Sequence, residues 1–226
     1  MLNTLYKLQE EKKLAISYNL LQNRRIAISF DIKLFCDALY KRIENRIFAE
    51  DMNPNNIGWV IVDWLSPNKF NIIDYGVEDI SLLNKKEDEL KVKLGKASTG
   101  QYHYTELKTY VMRDIAVKLS KKIAHYKCDT AGIDSVSIAT SDKKKGRYYN
   151  RLVNNKWQRN EYDYTLQKNI ALSGVYIDNV YCAYTSANGN FLFRSIGLPD
   201  MCLAALETSR RAYLDKLLHL TEKEKR

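Results

Sequence analysis

With 226 residues, 45% of them hydrophobic and 28% charged, the chain has the makeup of a globular protein holding one sizeable domain, or one domain with a small appendage. Its 36 Lys+Arg against 27 Asp+Glu leave a formal charge of +9, which favours polyanionic partners because each neutralised phosphate releases counterions. No apolar run approaches the ~20 residues that span a bilayer, and charges interrupt MLNTLYKLQEEKKLAISYNL too early for a secretory signal, so a soluble, cytoplasmic protein without a membrane partner is expected.

Residues 1–13 read as a helix with Leu2, Leu5, Tyr6 and Leu8 on one side. Leu14 to Leu21 and Arg25 to Phe30, separated by Gln22-Asn23-Arg24, read as a β-hairpin, so residues 1–44 form an N-terminal extension. The main domain, expected over 45–220, opens with a strand from Asn45 to Asp51 and the turn Met52 to Asn56. An apolar strand, Ile57 to Trp64, and a third, Phe70 to Tyr75, which ends at Gly76, complete an antiparallel meander. Residues 84–100 are polar and read as a loop with at most a fragment of helix. From Thr105 to about Lys127 the residues Leu107, Val111, Ile115, Leu119 and Ile123 recur at helical spacing. A strand from Ile133 to Ala139, a basic loop from Ser141 to Arg151, a helix from Trp157 to Leu172 and a strand from Val175 to Cys182 follow. A loop from Ala183 to Leu198 leads to a last helix with Pro199 in its first turn, and 221–226 form a solvated tail. The order β-β-β-α-β-α-β-α predicts an α/β fold, a mixed five-stranded sheet flanked by helices.

Cys36, Cys128, Cys182 and Cys202 form no C-x-x-C pair, which argues against a zinc ribbon or a disulfide framework and for buried thiols. Sixteen tyrosines among the cations offer rings that stack on bases, or else amphipathic core and rim residues.

Three acids sit on different elements. Asp51 closes the first strand, Asp134 lies in the fourth and Asp200 opens the last helix. Singly, each has a plain reading. Asp51 suits a turn in which its side chain bonds its own backbone, and Asp200 suits the positive end of a helix. Asp134 is the least comfortable, because Asp is disfavoured in a strand unless something uses it. Jointly, carboxylates from different elements can converge on two divalent ions, about 3.5–4 Å apart, for phosphodiester hydrolysis. Mg²⁺ keeps several of its waters, so three carboxylates suffice. Lys143, Lys144, Lys145, Arg147 and Arg151 follow the second acid and form either a phosphate-contact patch or a solvated charge run.

Four segments carry a family resemblance: Asp51-Met52-Asn53-Pro54-Asn55-Asn56-Ile57-Gly58; the stretch from Gly146 to Trp157; Tyr184-Thr185-Ser186; and Pro199-Asp200 with Ala204-Ala205 and Arg210-Arg211. In this order, over roughly residues 45–215, they resemble the RuvC-like, RNase H-type nuclease domain of transposon-encoded RNA-guided nucleases, type V CRISPR effectors and related phage proteins. The resemblance implies a Mg²⁺- or Mn²⁺-dependent endonuclease acting on DNA, with guide RNA or branched DNA as further partners. It implies Asp51, Asp134 and Asp200 as ligands of two ions, and it adds Arg210 and Arg211 to the basic loop as nucleic-acid contacts. Two departures stand out. The second acid is Asp134, followed by Ser135, where the family carries Glu then Asp, so its reach is one methylene shorter. Between Ser186 and Asp200 there is only a short stretch where many relatives insert a cysteine-rich ribbon, so zinc is not expected. The large N-terminal recognition lobe of guide-binding members is also not represented. Glu207, two helical turns beyond Asp200, either supports the ions from outside or pairs with Arg210 or Arg211. A junction resolvase, a binding module without turnover and an assembly subunit are the alternatives, since fold does not settle function.

Overall fold

The computed structural model describes residues 2–31, 40–94, 99–134 and 159–224. Helix α1 (Leu2–Glu10) precedes an antiparallel ribbon of β1 (Ile16–Leu21) and β2 (Arg25–Phe30), as the sequence predicts. Leu5 and Leu8, one turn apart on α1, bury themselves with Leu14 against Ile16 and Phe30.

The second sheet contains β3 (Ile43–Met52), β4 (Asn56–Ser66), β5 (Lys69–Asp79), β6 (Cys128–Asp134) and β7 (Tyr176–Val180). Its spatial order is β5-β4-β3-β6-β7; β3, β4 and β5 are mutually antiparallel, and β6 and β7 run parallel to β3. Counted within the sheet this is 3-2-1-4-5, the order of the RNase H-like fold. Helices α2 (Ser81–Leu94), α3 (Thr99–His125), α4 (Arg159–Leu172), α5 (Thr185–Phe193) and α6 (Asp200–Glu224) complete the chain. None of the described helices is long and apolar enough to cross a membrane.

Side chains alternate across a strand, so the apolar strands build a core on each face. Phe48, Met52, Ile57, Trp59 and Ile61 face Met112, Leu119 and Ile123 of α3 and Tyr162, Leu166 and Ile170 of α4. Ile47, Ala49, Val60, Val62 and Trp64 face Cys202, Leu203, Leu206 and Tyr213 of α6, with Phe193 of α5.

Several boundaries differ from the sequence reading. β5 runs through Gly76 to Asp79, because that glycine makes room for an indole: a Cβ there would lie 2.7 Å from Trp59 Cζ2. Residues 81–94 are helical, not a loop. Asp79 accepts from the Ser81 N–H at 2.8 Å, and buried Asn84 is tied to Pro54, Asn55 and Lys108. β6 is described over Cys128–Asp134 and so starts five residues before the expected Ile133; residues 135–158, which hold the rest of that expected strand, the basic loop and the expected start of the next helix, lie outside the described residues. The 183–198 segment contains α5, packed so closely on α6 that a Cβ on Gly189 would lie 2.3 Å from the Leu203 carbonyl oxygen. Pro199 immediately precedes α6, its carbonyl accepting from Cys202 and Leu203, and α6 continues through Glu224 into the expected tail.

Candidate active site

The parallel strands β3, β6 and β7 end along one edge, where α/β sheets commonly gather functional groups. Ala49 pairs with Gly132, and Asp134 with Val180. Two residues further along both strands, Asp51 stands level with Asp134 on the same face. That face is the one covered by α6, since a Cβ on Gly132 would lie 3.2 Å from Ala212 Cβ. Asp51 is 9% and Asp134 7% exposed. Burial, and secondarily the charge of Asp134, push the Asp51 carboxyl up to about 6, against a 2.7 Å hydrogen bond donated by Asn53 Nδ2.

Three further residues hold this edge. Arg159, the first residue of α4, donates to the Asp134 carbonyl and places its guanidinium 3.9 Å from the Asp134 carboxylate, while its Nε donates to Asp163 at 3.0 Å. Tyr162, one turn on, donates its hydroxyl to Glu50, a fully buried carboxyl on the opposite face whose pKa burial drives up to about 8. Cys182, just past β7, lies 3.7 Å from the Thr208 hydroxyl of α6. Burial and the neighbouring Asp134 push its thiol up to about 12. The sequence singles out neither these three nor Glu50 for the site. Glu50 and Cys182 left a trace, as a carboxylate in an apolar run and a cysteine at a strand end. Arg159 and Tyr162 left none.

Asp200 opens α6 and is exposed. Its neighbour Met201 packs on Gly58, the β4 partner of Asp51: a Cβ on that glycine would lie 2.5 Å from Met201 Cβ. The structure thus sets Asp51 and Asp134 level on adjacent strands, with Asp200 exposed at the start of α6 next to the residue that packs on Gly58. Among the described residues no group of three His, Cys, Asp or Glu side chains is arranged to hold a metal ion. Glu207 is fully buried and pairs with both arginines, with Arg210 at 2.7 and 3.0 Å and with Arg211 at 3.0 Å. Arg211 also donates to the carbonyls of Tyr181 and Ala183. Lys143, Lys144, Lys145, Arg147 and Arg151 lie outside the described residues.

No protein-family model matches the sequence, and no curated protein matches it. Among similar solved structures, a Cas12f1–sgRNA–target DNA complex is 14% identical with TM-score 0.46, covering 87% of this chain and 44% of that one. T. thermophilus RuvC in complex with a Holliday junction substrate is 9% identical with TM-score 0.47, covering 76% and 95%. A CRISPR–Cas12f ternary complex is 14% identical with TM-score 0.46, covering 92% and 48%. The chain spans less than half the length of the two Cas12f chains.

Proposed function

We propose that this chain hydrolyses phosphodiester bonds of DNA, with Asp51, Asp134 and Asp200 as the acids of a divalent-ion site. One observation carries the reading: Asp51 and Asp134 lie buried side by side at the ends of adjacent parallel strands. Burial and the charge of Asp134 oppose ionisation of Asp51, and a cation between the two side chains would reverse that penalty. The donors are hard carboxylate oxygens, which suit Mg²⁺ or Mn²⁺. Such ions would supply a water nucleophile at neutral pH and neutralise charge at the leaving oxygen.

The chain's own residues provide the positioning. Asn53 fixes the carboxylate of Asp51, and Arg159 fixes the backbone of Asp134. Tyr162 anchors Glu50, so the end of β3 is held from both faces. Asp200 would join the pair from the exposed first turn of α6, beside Met201 and Gly58.

A second reading, a binding module of the same fold without turnover, draws on the absence of a three-acid group among the described residues. The test gives the purified protein Mg²⁺ or Mn²⁺ with end-labelled single-stranded, duplex and four-way-junction DNA, beside Asp51→Ala and Asp134→Ala. Metal-dependent cleavage that both variants lose is the expected result, and the preferred substrate separates strand cutting from junction resolution. Salt-sensitive binding without cleavage in either ion would replace the enzyme by the binding module.

A further inference from the structure

The segment joining β7 to α5 presents two large rings to solvent beside the acid pair. Tyr181 is 75% and Tyr184 79% exposed, on either side of Cys182 and Ala183. Consecutive Cα atoms lie 3.8 Å apart, so both tyrosines stand one or two residues from the thiol that adjoins Asp134.

An exposed ring on a loose loop carries no message, but this backbone is tied at four successive carbonyls. Those of Tyr181 and Ala183 accept from Arg211 at 2.6 and 3.0 Å. That of Cys182 accepts from the N–H and hydroxyl of buried Thr185, at 3.3 and 3.0 Å, and that of Tyr184 from Asn188 at 2.9 Å. Tyr184 itself has φ +63°, in the left-handed region that non-glycine residues seldom adopt. The fold therefore holds a rigid frame that keeps two aromatic side chains out of both cores.

Two cations stand behind the frame. Arg210 and Arg211 share the single carboxylate of Glu207 directly behind it, and the chain as a whole carries +9. Rigid, exposed aromatic rings on a protein of net positive charge are features that engage the bases of an unpaired strand.

We propose that Tyr181 and Tyr184 form a stacking platform for the bases of single-stranded nucleic acid beside the Asp51–Asp134 pair. The platform rests on the proposed function for the presence of a strand at that edge, but not on cleavage. Loss of one stacked base weakens binding by about tenfold.

The test measures binding by the full chain, with Ca²⁺ in place of Mg²⁺, to fluorescein-labelled oligo-dT, oligo-rU and an abasic strand of equal length. Tyr181→Ala and Tyr184→Ala are each expected to weaken binding to a base-bearing strand about tenfold. Tyr181→Phe and Tyr184→Phe should bind as the wild type does, and the abasic strand should not distinguish any of these proteins. The dT and rU arms identify which sugar the platform accepts. Alanine variants that bind base-bearing strands normally, or that lose the abasic strand equally, overturn the platform, while metal-dependent cleavage by the wild type would leave the nuclease standing. Tyrosine-dependent binding by a protein that never cleaves would keep the platform and remove the nuclease. No binding of any strand overturns the platform outright. A shift in sedimentation with unchanged oligonucleotide binding would assign the rings to self-association and overturn it as well.

Discussion

Burial raises the carboxyl of Asp51 from the ordinary 3.8 to about 6, with Asp134 adding to the shift and Asn53 opposing it. Between these two values the folded chain binds more protons at this position than the unfolded chain does. Stability from this residue is therefore greatest below about pH 4, falls as the pH rises, and is fully lost above about pH 6. A shift of about two units corresponds to roughly 3 kcal/mol. Asp51→Asn removes the charge, and its side-chain oxygen can still accept from Asn53. In chelator at pH 7.5 we expect the variant to melt several degrees above the wild type, and the difference should shrink toward pH 4.5. Added Mg²⁺ or Mn²⁺ should raise the wild-type Tm and leave that of Asp51→Asn unmoved. A variant that melts no higher than the wild type at pH 7.5 would mean that Asp51 is not an unrelieved buried charge. Both acids of the pair are candidates from the sequence, Asp51 as the acid closing a strand and Asp134 as an Asp within a strand, where it is disfavoured unless something uses it. Their supports are not. Arg159 reaches Asp134 across 25 residues and Tyr162 reaches Glu50 across 112, so neither partnership leaves a local pattern.

At the scale of elements, the first turn of α6 takes its position from Gly58. A Cβ there would lie 2.5 Å from Met201 Cβ and 2.6 Å from the Met201 carbonyl carbon, and backbone cannot yield as a flexible side chain does. Gly58→Ala must push the start of α6 away from β4, and overpacking of this kind costs about 1–3 kcal/mol. It also moves Asp200 relative to its proposed partners. Both the Tm and the cleavage rate are expected to fall, the latter at least tenfold at a temperature where the variant is still folded. Undiminished cleavage there would show that the start of α6 does not complete the site. Periodicity made the regular elements readable: the apolar run of β4 is matched within two residues at each end, and the fourfold spacing of α3 at its C-terminal end, whereas α3 begins at Thr99, six residues before the expected Thr105. It was silent for α2, whose polar sequence shows no stripe and whose hold comes from Asp79 and Asn84. Gly76 misled because a glycine reads locally as a break, and the 183–198 segment that holds Gly189 was read as a loop. Here each accommodates a close neighbour, Trp59 in one case and the backbone of α6 in the other.

At the scale of the whole molecule, part of the positive charge is engaged between elements. Arg46 binds Asp63, Lys118 binds Glu78, Lys122 binds Asp74 and Lys216 binds Asp129, stitching α3, α6 and the meander together. Cations fixed in this way are poor candidates for tracking a phosphate backbone, which directs attention to the run Lys143, Lys144, Lys145, Arg147 and Arg151. Electrostatic and stacking contributions can be separated by salt. Each phosphate contact on a single strand adds about 0.7 to the slope of log affinity against log salt, whereas stacking releases no counterion. Replacing all five cations by Gln is therefore expected to flatten the slope by up to about 3.5. Tyr181→Ala and Tyr184→Ala should lower affinity equally at every salt concentration and leave the slope unchanged. Dissociation constants for a labelled single strand, measured from 50 to 300 mM NaCl, decide both points. A slope unaffected by the five substitutions would place the phosphate contacts on other cations. A slope that flattened in the tyrosine variants would mean that those rings act by positioning charge, not by stacking.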